Sequence, residues 1–301
     1  MKGHTITRAL GALGLATVAV AVSLAQPTQL AFWNFNESNP LDETAMLAAD
    51  GGVFASQAQI AINLANIVYN NSGTGFRGSP LDPNNPTHPT TPNWGLQTTG
   101  YPAQGLDSGL AGIVVSVPTT GYQNIVVKFD VRWSNTASKF LAVEYTTDGG
   151  VSWTRARVLN ALRGDRWHGD TGANGGYGAL VELDLSADSA VNNNAQFAFR
   201  VVTIFDPNTG TQYTAANFPN NPNATYSPNG TLRYDLIEIL GEEASSGPEG
   251  DVNGDGCVDD ADLLIVLFNF GNAGGQGDVN NDNIVDDADL LIVLFNFGAG
   301  C

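Results

Sequence analysis

The C-terminal part of the chain contains an acidic segment followed by an apolar one, and then repeats both. "DVNGDGCVDDADLLIVLFNFG" begins at Asp251 and "DVNNDNIVDDADLLIVLFNFG" begins at Asp278, 27 residues later. The last fourteen residues of the two copies are identical. Residues 251–301 hold ten Asp and no Lys or Arg, so no basic side chain within the segment offsets their repulsion. We therefore expect this segment to fold only with bound cations.

Each acidic segment has the ligand spacing of a 12-residue EF-hand loop, in which oxygens at positions 1, 3, 5, 7, 9 and 12 converge on one hard cation. Position 6 must tolerate a positive φ, and it is Gly256 in one copy and Asn283 in the other. At position 8, Val258 and Val285, we expect the two loops to exchange a short β contact. The spacing predicts two Ca²⁺ ions, held by loops 251–262 and 278–289. The predicted ligands are Asp251, Asn253, Asp255, the Cys257 carbonyl, Asp259 and Asp262, and then Asp278, Asn280, Asp282, the Ile284 carbonyl, Asp286 and Asp289.

The apolar segment after each loop is predicted to be a helix without a polar face. From Leu263 to Phe270 only Asn269 is polar. A helix that is apolar all round has to be buried on more than one side. The twin helices can cover one face of each other, and the remaining face requires the rest of the chain, a partner or another copy. The predicted contact residues are Leu264, Phe268, Leu291 and Phe295.

A calcium loop followed by one helix, duplicated, with Asp at position 12, resembles a type I dockerin domain over residues 251–301. The resemblance implies two loop–helix units in pseudo-twofold symmetry. It also implies a cohesin-like module or another surface protein as the partner. Cohesin-binding dockerins carry polar residues at positions 10 and 11 and basic residues near 17 and 18. This chain has Asp260-Ala261 and Leu267-Phe268 there, so self-association stays open as the alternative.

The chain has two cysteines, Cys257 in the first loop and Cys301 at the end. The symmetry implied by the dockerin resemblance brings the two ends of the domain together. Export favours oxidation, so we expect a disulfide between these residues. Two free thiols or intermolecular pairing are the alternatives.

The first 25 residues are predicted to be a signal peptide. Lys2 and Arg8 precede an apolar run over residues 9–24, and Ser23-Leu24-Ala25 has the small-x-small pattern of a cleavage site. The alternative, a membrane anchor, is disfavoured because the run is short for a span and lacks a stop-transfer flank. We therefore expect a secreted bacterial protein, extracellular or on the cell surface, without a membrane span after signal removal.

The charge balance argues against nucleic acid as a partner. The chain carries 12 Lys and Arg against 30 Asp and Glu, a net charge of −18, and no basic stripe offsets it. A nucleic-acid-binding protein depends on neutralising phosphates with Lys and Arg.

Residues 26–240 are predicted to form an antiparallel β-sandwich, a jelly roll, followed by a linker at 241–250. Period-two alternation marks strands in "NIVVKFDVRW", "ALVELDL", "QFAFRVVTIF" and "TLRYDLIEIL", and "LAFWNF" is another. "KFLAVEYTTDGGVSWTRARVL" predicts a hairpin around Asp148, with an Asp-box turn in which Asp148 caps amides and Trp153 packs beneath. Segments 78–105 and 206–230 are expected to be loops, and the Ala-rich segment 46–69 to hold a helical turn.

Catalytic signatures are weak in this domain. "ELDL" places Glu182 and Asp184 on one side of a strand, which is similar to laminarinase-like glycosidases, but the third acid of that motif is missing. The aromatic residues expected to plug the sandwich or to stack on sugar rings are Trp94, Tyr101, Trp167, Tyr177, Tyr213 and Tyr226.

Much of residues 30–240 resembles uncharacterised jelly-roll domains of exported bacterial proteins, which are similar to carbohydrate-binding modules. The resemblance implies a polysaccharide ligand. Three functions therefore compete. The favoured one is a non-catalytic binding protein, linked to polysaccharide degradation, that attaches through its calcium-dependent tail. The alternatives are a tethered glycoside hydrolase and a self-assembling surface or matrix protein.

Overall fold

The computed structural model describes residues 27–36, 47–68, 76–83, 93–172, 175–244, 247–280 and 282–301. The predicted signal peptide lies outside the described residues. No helix in these ranges is long and apolar enough to cross a bilayer.

The domain before the repeat is a β-sandwich of two antiparallel sheets, as the alternation of the strands predicts. Its strands in chain order are β1 (Thr28–Trp33), β2 (Gln59–Asn63), β3 (Asn66–Ile67), β4 (Phe76–Arg77), β5 (Trp94–Thr99), β6 (Gly112–Ser116), β7 (Tyr122–Trp133), β8 (Phe140–Thr146), β9 (Thr154–Asn160), β10 (Arg166–Trp167), β11 (Val181–Asp184), β12 (Ala198–Ile204) and β13 (Leu232–Glu243).

The first sheet is built on its two twelve-residue strands, β7 and β13, which pair along most of their lengths. The other edge of β13 pairs with β5 in its first part and with β1 further on. The other edge of β7 pairs with β10 and β11. The register of β7 against β13 therefore sets the positions of the other strands in this sheet.

The second sheet has the order β2-β6-β12-β8-β9. β12 lies in its centre, with Val201 opposite Ile113 on one side and opposite Val143 on the other. These three side chains are fully buried and point toward the first sheet.

The core lies between the sheets and is made by the alternate residues that the period-two pattern selects. In β7, Val127, Phe129 and Val131 are fully buried. Phe129 stacks across the interface on Phe199 of β12, with ring centroids 6.0 Å apart. Fully burying such side chains stabilises a fold by roughly 1.5–3 kcal/mol each.

The predicted hairpin is confirmed. It joins β8 and β9, and both Asp148 carboxylate oxygens accept the Ser152 N–H, at 3.0 and 3.1 Å. The Trp153 indole N–H donates to the carbonyl of Gly150, at 3.2 Å. The Asp-box residues thus close a tight turn.

Segment 206–230 contains no strand, as expected, but the loop prediction for 78–105 was wrong, and the segment expected to hold a helical turn also contains strands. Segment 46–69 contains β2 and β3, and segment 78–105 contains β5. The Ala content of the first segment concealed Ile60, which is fully buried and faces the core. β5 is short, and it completes its hydrogen bonding against β13. In both segments, pairing with strands distant in sequence produced β-strands that local propensity did not predict.

The repeat forms two helices, α1 (Asp260–Asn269) and α2 (Asp287–Phe295). Each begins with a capping box, made by Asp259 and Asp262 in the first copy and by Asp286 and Asp289 in the second. β13 ends at Glu243, three residues inside the segment that was predicted as linker.

Candidate functional site

The carboxylate at position 1 of the first acidic loop points into the loop. Asp251 Oδ1 accepts the N–H groups of Gly254, at 2.8 Å, and Asp255, at 3.1 Å. Its Oδ2 accepts the N–H of Gly256, at 2.8 Å. Three backbone donors therefore fix the carboxylate while leaving lone pairs available, since an ionised carboxylate accepts about four hydrogen bonds.

The carboxylate at position 12 ties the end of the loop to its beginning. Asp262 is fully buried, and its Oδ1 accepts the N–H groups of Val252 and Asn253, at 2.7 and 2.9 Å. Its Oδ2 accepts the N–H of Asp259, at 2.9 Å. Burial acts to raise the pKa of Asp262, but these backbone donors outweigh it and lower the pKa, so the group is ionised at neutral pH.

The second loop reproduces this geometry although three of its first seven residues differ from those of the first loop. Asp278 accepts the N–H groups of Asp282 and Asn283, at 3.1 and 2.9 Å. Asp289 accepts those of Val279, Asn280 and Asp286, at 2.7, 3.0 and 2.9 Å. Asn283 adopts a φ of 72°, the conformation that Gly256 adopts at 92° in the first loop.

Each loop offers oxygen ligands only. In the first, Asp251, Asp255, Asp259, Asp262 and Asn253 supply side-chain oxygens, and position 7 adds the carbonyl of Cys257. Such an all-oxygen set of six suits Ca²⁺. Among the described residues, no three His, Cys, Asp or Glu side chains already converge as a metal cluster, so cation binding would require these ligands to draw closer.

The two units interlock through backbone pairing, but not in the predicted way. Val258 exchanges hydrogen bonds with Gly298 and Ala299, at 2.8 and 2.9 Å, and Val285 exchanges them with Gly271 and Asn272, at 2.7 and 3.0 Å. Each loop therefore pairs with the segment that follows the other unit's helix, and the expected loop-to-loop contact was wrong. The four valines Val258, Val266, Val285 and Val293 are fully buried between the units.

Cys257 and Cys301 form a disulfide with a Cα–Cα distance of 4.6 Å. The bond joins the first loop to the last residue, across a sequence separation of 44. It continues the pairing of Val258 with Ala299, so the same strand-like segment is held by two hydrogen bonds and one covalent bond.

The outer faces of both helices are apolar and exposed. Leu264 and Phe268 are 47% and 81% exposed, and Leu291 and Phe295 are 46% and 83% exposed. The four residues predicted as contacts therefore occupy matching positions on two equivalent surfaces, and no described part of the chain covers them.

The candidate glycosidase carboxylates do not form a site. Glu182 and Asp184 both project from the exposed face of β11. The Glu182 carboxylate lies 3.2 Å from the Lys128 ammonium group. Hydrogen bonds from Ser186 lower the pKa of Asp184, whereas a general acid requires a raised pKa.

Most of the aromatic candidates have structural contacts. Tyr101 and Tyr213 are buried, and Tyr213 stacks on Tyr226 with ring centroids 4.5 Å apart. Tyr177, 46% exposed, stacks on the His168 ring at 4.4 Å. Trp94 packs against the core, and Trp167 is buried at the edge of a surface cavity.

Two acids are buried in the first sheet, and sequence reasoning missed one of them, Asp130. Asp130 of β7 and Asp235 of β13 are fully buried and lie directly opposite each other. The Ser79 hydroxyl donates to Asp130, at 2.5 Å, and the Ser79 N–H donates to Asp235, at 2.6 Å. The available signal was a pair of polar positions in period two, "DVR" in one strand and "RYD" in the other. Such a pattern usually indicates a solvated outer face, but here the segment around Ser79 covers these positions.

Burial dominates the electrostatics of these two acids. It raises the pKa of Asp130 to about 7, although hydrogen bonds from Ser79, Gly169 and Val131 act in the opposite direction. It also raises the pKa of Asp235 well above its ordinary value, with the nearby charges of Asp82 and Asp130 adding to the effect. The two carboxyl groups anchor the segment around Ser79 to the sheet, and burial favours their protonated form.

Comparisons with known proteins add little. No family model and no curated protein matches the sequence. One solved chain, from a study of the promiscuous specificity of carbohydrate-binding modules of the β-sandwich superfamily, is 11% identical, with a TM-score of 0.32 and coverage of 69% of this chain and 62% of that one. A mutant of a family 29 carbohydrate-binding module is 8% identical, with a TM-score of 0.27 and coverage of 61% and 92%. Likenesses this distant carry no functional argument.

Proposed function

We propose that the chain is a secreted, non-catalytic attachment protein, with a tail organised by two Ca²⁺ ions and a sandwich that binds a polysaccharide. The observation that carries the proposal is the matched pair of loop–helix units, each presenting an exposed apolar helix face. A cohesin-like or other surface protein is the partner that the dockerin resemblance implies. The ion pair of Glu182 with Lys128 and the lowered pKa of Asp184 disfavour the tethered glycoside hydrolase.

The loops hold the cations through the twelve predicted ligands. Two Ca²⁺ would supply four positive charges against the ten Asp of the segment. Asp262 and Asp289 link each loop to its helix, because both carboxylates accept amides from the start of the loop and from the helix N-cap. Cation binding therefore orders the helices that carry the contact surface.

The helix faces provide the attachment energy. Burying Phe268 and Phe295 contributes roughly 1.5–3 kcal/mol each, and the half-buried Leu264 and Leu291 contribute about half as much, or about 4.5–9 kcal/mol together. Association itself costs an estimated ~4–15 kcal/mol, so one helix alone does not suffice. Stable attachment requires both units to contact one partner, or further contacts around them.

Self-assembly is the second candidate function, because the two helix faces are equivalent and each could cover the face of another copy. The partner in that case is a second copy of this chain, and symmetric association through one patch is common among homo-oligomers. The oligomeric state separates the two functions.

The test uses the full chain without its signal. Calorimetry should give two bound Ca²⁺ for the native chain and one each for Asp251→Ala and Asp278→Ala. Sedimentation with native secretome or with the chain alone should then show calcium-dependent association that the Phe268→Ser/Phe295→Ser double variant loses. Val151→Ser, which removes an apolar side chain that is 88% exposed on the sandwich, is the matched control. No calcium uptake, or association that survives the double variant, would refute the proposal.

A further inference from the structure

A cavity of about 350 Å³ on the outer face of the first sheet collects a third of the basic residues of this acidic chain. Two acids, Asp165 and Asp170, also line it, so the arginines exceed the acids by two in a protein of net charge −18. The arginines are Arg77, Arg132, Arg166 and Arg233.

The register of the central strands brings like charges together. Arg132 of β7 lies directly opposite Arg233 of β13, and Asp130 lies directly opposite Asp235. Like charges opposite each other on neighbouring strands are destabilising. Burial and, to a smaller extent, the charge of Arg132 lower the pKa of Arg233 to about 10. This arrangement disfavours stability, which indicates that the arginines are placed for something else.

Arg233 is held firmly but is not neutralised. Its Nε and Nη2 donate to Gln97 Oε1, at 3.0 and 2.5 Å, and its Nη1 donates to the Arg77 carbonyl, at 2.5 Å. Its guanidinium carbon lies 5.0 Å from the centre of the Phe76 ring. The ion pairs found among the described residues do not include Arg233. Since a guanidinium has five N–H donors, two remain for a ligand.

The two acids that line the cavity are engaged with other lining residues. Asp165 pairs with Arg132 at 3.1 Å and also accepts a hydrogen bond from the Asn135 amide. Asp170 Oδ2 accepts the backbone N–H of Trp167, at 2.9 Å. Neither carboxylate forms an ion pair with the Arg233 guanidinium, although the charges of Asp235 and Asp165 act on it from farther away.

The wall and the size of the cavity suit a sugar. Trp167 is one of the lining residues, and aromatic side chains are common contacts for sugar rings. Ligand pockets in proteins span about 300–1,000 Å³, so this one lies at the small end, with room for one or two sugar units. Guanidinium groups recognise carboxylates and similar oxyanions through paired N–H donors.

We infer that this cavity binds an anionic sugar unit of a polysaccharide, with Arg233 and Arg132 contacting its carboxylate or sulfate group and Trp167 contacting the ring. The inference rests on the proposed polysaccharide binding and narrows it to acidic glycans. Arg77 and Arg166 add positive charge at the rim of the cavity.

The experiment measures binding to the full chain without its signal, in calcium and at physiological salt, where charges farther apart than about 8 Å are screened. The probes are trigalacturonate, a sulfated oligosaccharide and a neutral xylotriose, with inorganic sulfate as the simple anion. Arg132→Gln and Arg233→Gln should each weaken acidic-glycan binding about ten-fold or more, since hydrogen bonds to charged groups are lost. Arg163→Gln, an exposed arginine outside the cavity, should change nothing.

A further variant is expected to strengthen binding, which misfolding could not explain. Asp165→Asn keeps an acceptor for Arg132 but removes one negative charge, so it should strengthen binding of the acidic probe. Binding of either acidic probe with these responses supports the inference, and the better probe identifies the carboxylate or the sulfate. Xylotriose binding without acidic-probe binding overturns the inference but leaves the proposed function intact. Equal binding of inorganic sulfate, or binding that ignores the cavity variants, also overturns it, and no glycan binding at all refutes both.

Discussion

Replacing Asp130 with Asn should make the sandwich more stable at high pH and nearly unchanged at low pH. Asn is the neutral isostere of the protonated carboxyl group. Its Oδ1 can still accept the N–H groups of Val131 and Gly169, which now donate to Asp130 at 2.8 and 3.0 Å. Its amide N–H can donate to the Ser79 hydroxyl in place of the present bond, so the fold keeps its contacts.

The magnitude follows from the pKa of Asp130, which burial raises from 3.8 to about 7. Between these values the folded state binds a proton that the unfolded state does not, so stability falls as pH rises. Each pH unit is worth about 1.36 kcal/mol, which gives roughly 3 kcal/mol between pH 5 and pH 7 as an upper limit. Above pH 7 the loss levels off, because Asp130 is then ionised in both states.

Urea unfolding followed by tryptophan fluorescence measures this effect directly, because all five tryptophans lie before residue 168, in the sandwich. The free energy of unfolding is compared between the native chain and Asp130→Asn at pH 5, 6, 7 and 8, with calcium constant. His168 acts in the opposite direction, because burial lowers its pKa and its contribution to stability is lost as pH falls. Its contribution cancels in the difference between the two proteins.

The free energy of unfolding of Asp130→Asn, relative to that of the native chain, should rise by up to about 3 kcal/mol from pH 5 to pH 8. Asp184→Asn is the control, since hydrogen bonds from Ser186 lower the pKa of that exposed acid, and it is ionised in both states throughout the range. A difference for Asp130→Asn that stays constant with pH would refute the reasoning. It would mean that water or a cation reaches Asp130 and stabilises its charge.

Two further outcomes are expected. Cys301→Ser should destabilise the tail by about 4 kcal/mol, because the disulfide closes a loop with a sequence separation of 44 and restricts the entropy of the unfolded chain. Circular dichroism of thermal unfolding measures the loss, with Cys257→Ser as the matched variant. Equal stability of the native chain and the two variants would contradict the prediction. The chain should not hydrolyse β-glucan, xylan or chitin, because Glu182 pairs with Lys128 and the pKa of Asp184 is lowered, whereas a general acid requires a raised pKa. Turnover that disappears in Glu182→Gln would instead establish a hydrolase.

The sequence by itself determined the local features. The order of ligand positions in each loop, the positive φ at Gly256 and Asn283, and the capped helix after each loop all depend on residues within about twelve positions of one another. The strands with clear alternation, such as β7 and β13, were predictable for the same reason, since period two sets which side chains face the core.

The tertiary structure alone decided the features that depend on register and coverage. Val258 pairs with the segment after the second helix rather than with the other loop, and β5 exists only because β13 supplies its hydrogen-bond partners. Period two places Asp130 and Arg132 on one face of a strand, but it cannot state which residues of another strand lie opposite. The pairing of β7 with β13 buries two acids together and gathers the arginines, because contacts distant in sequence set the burial and the charge environment of each side chain.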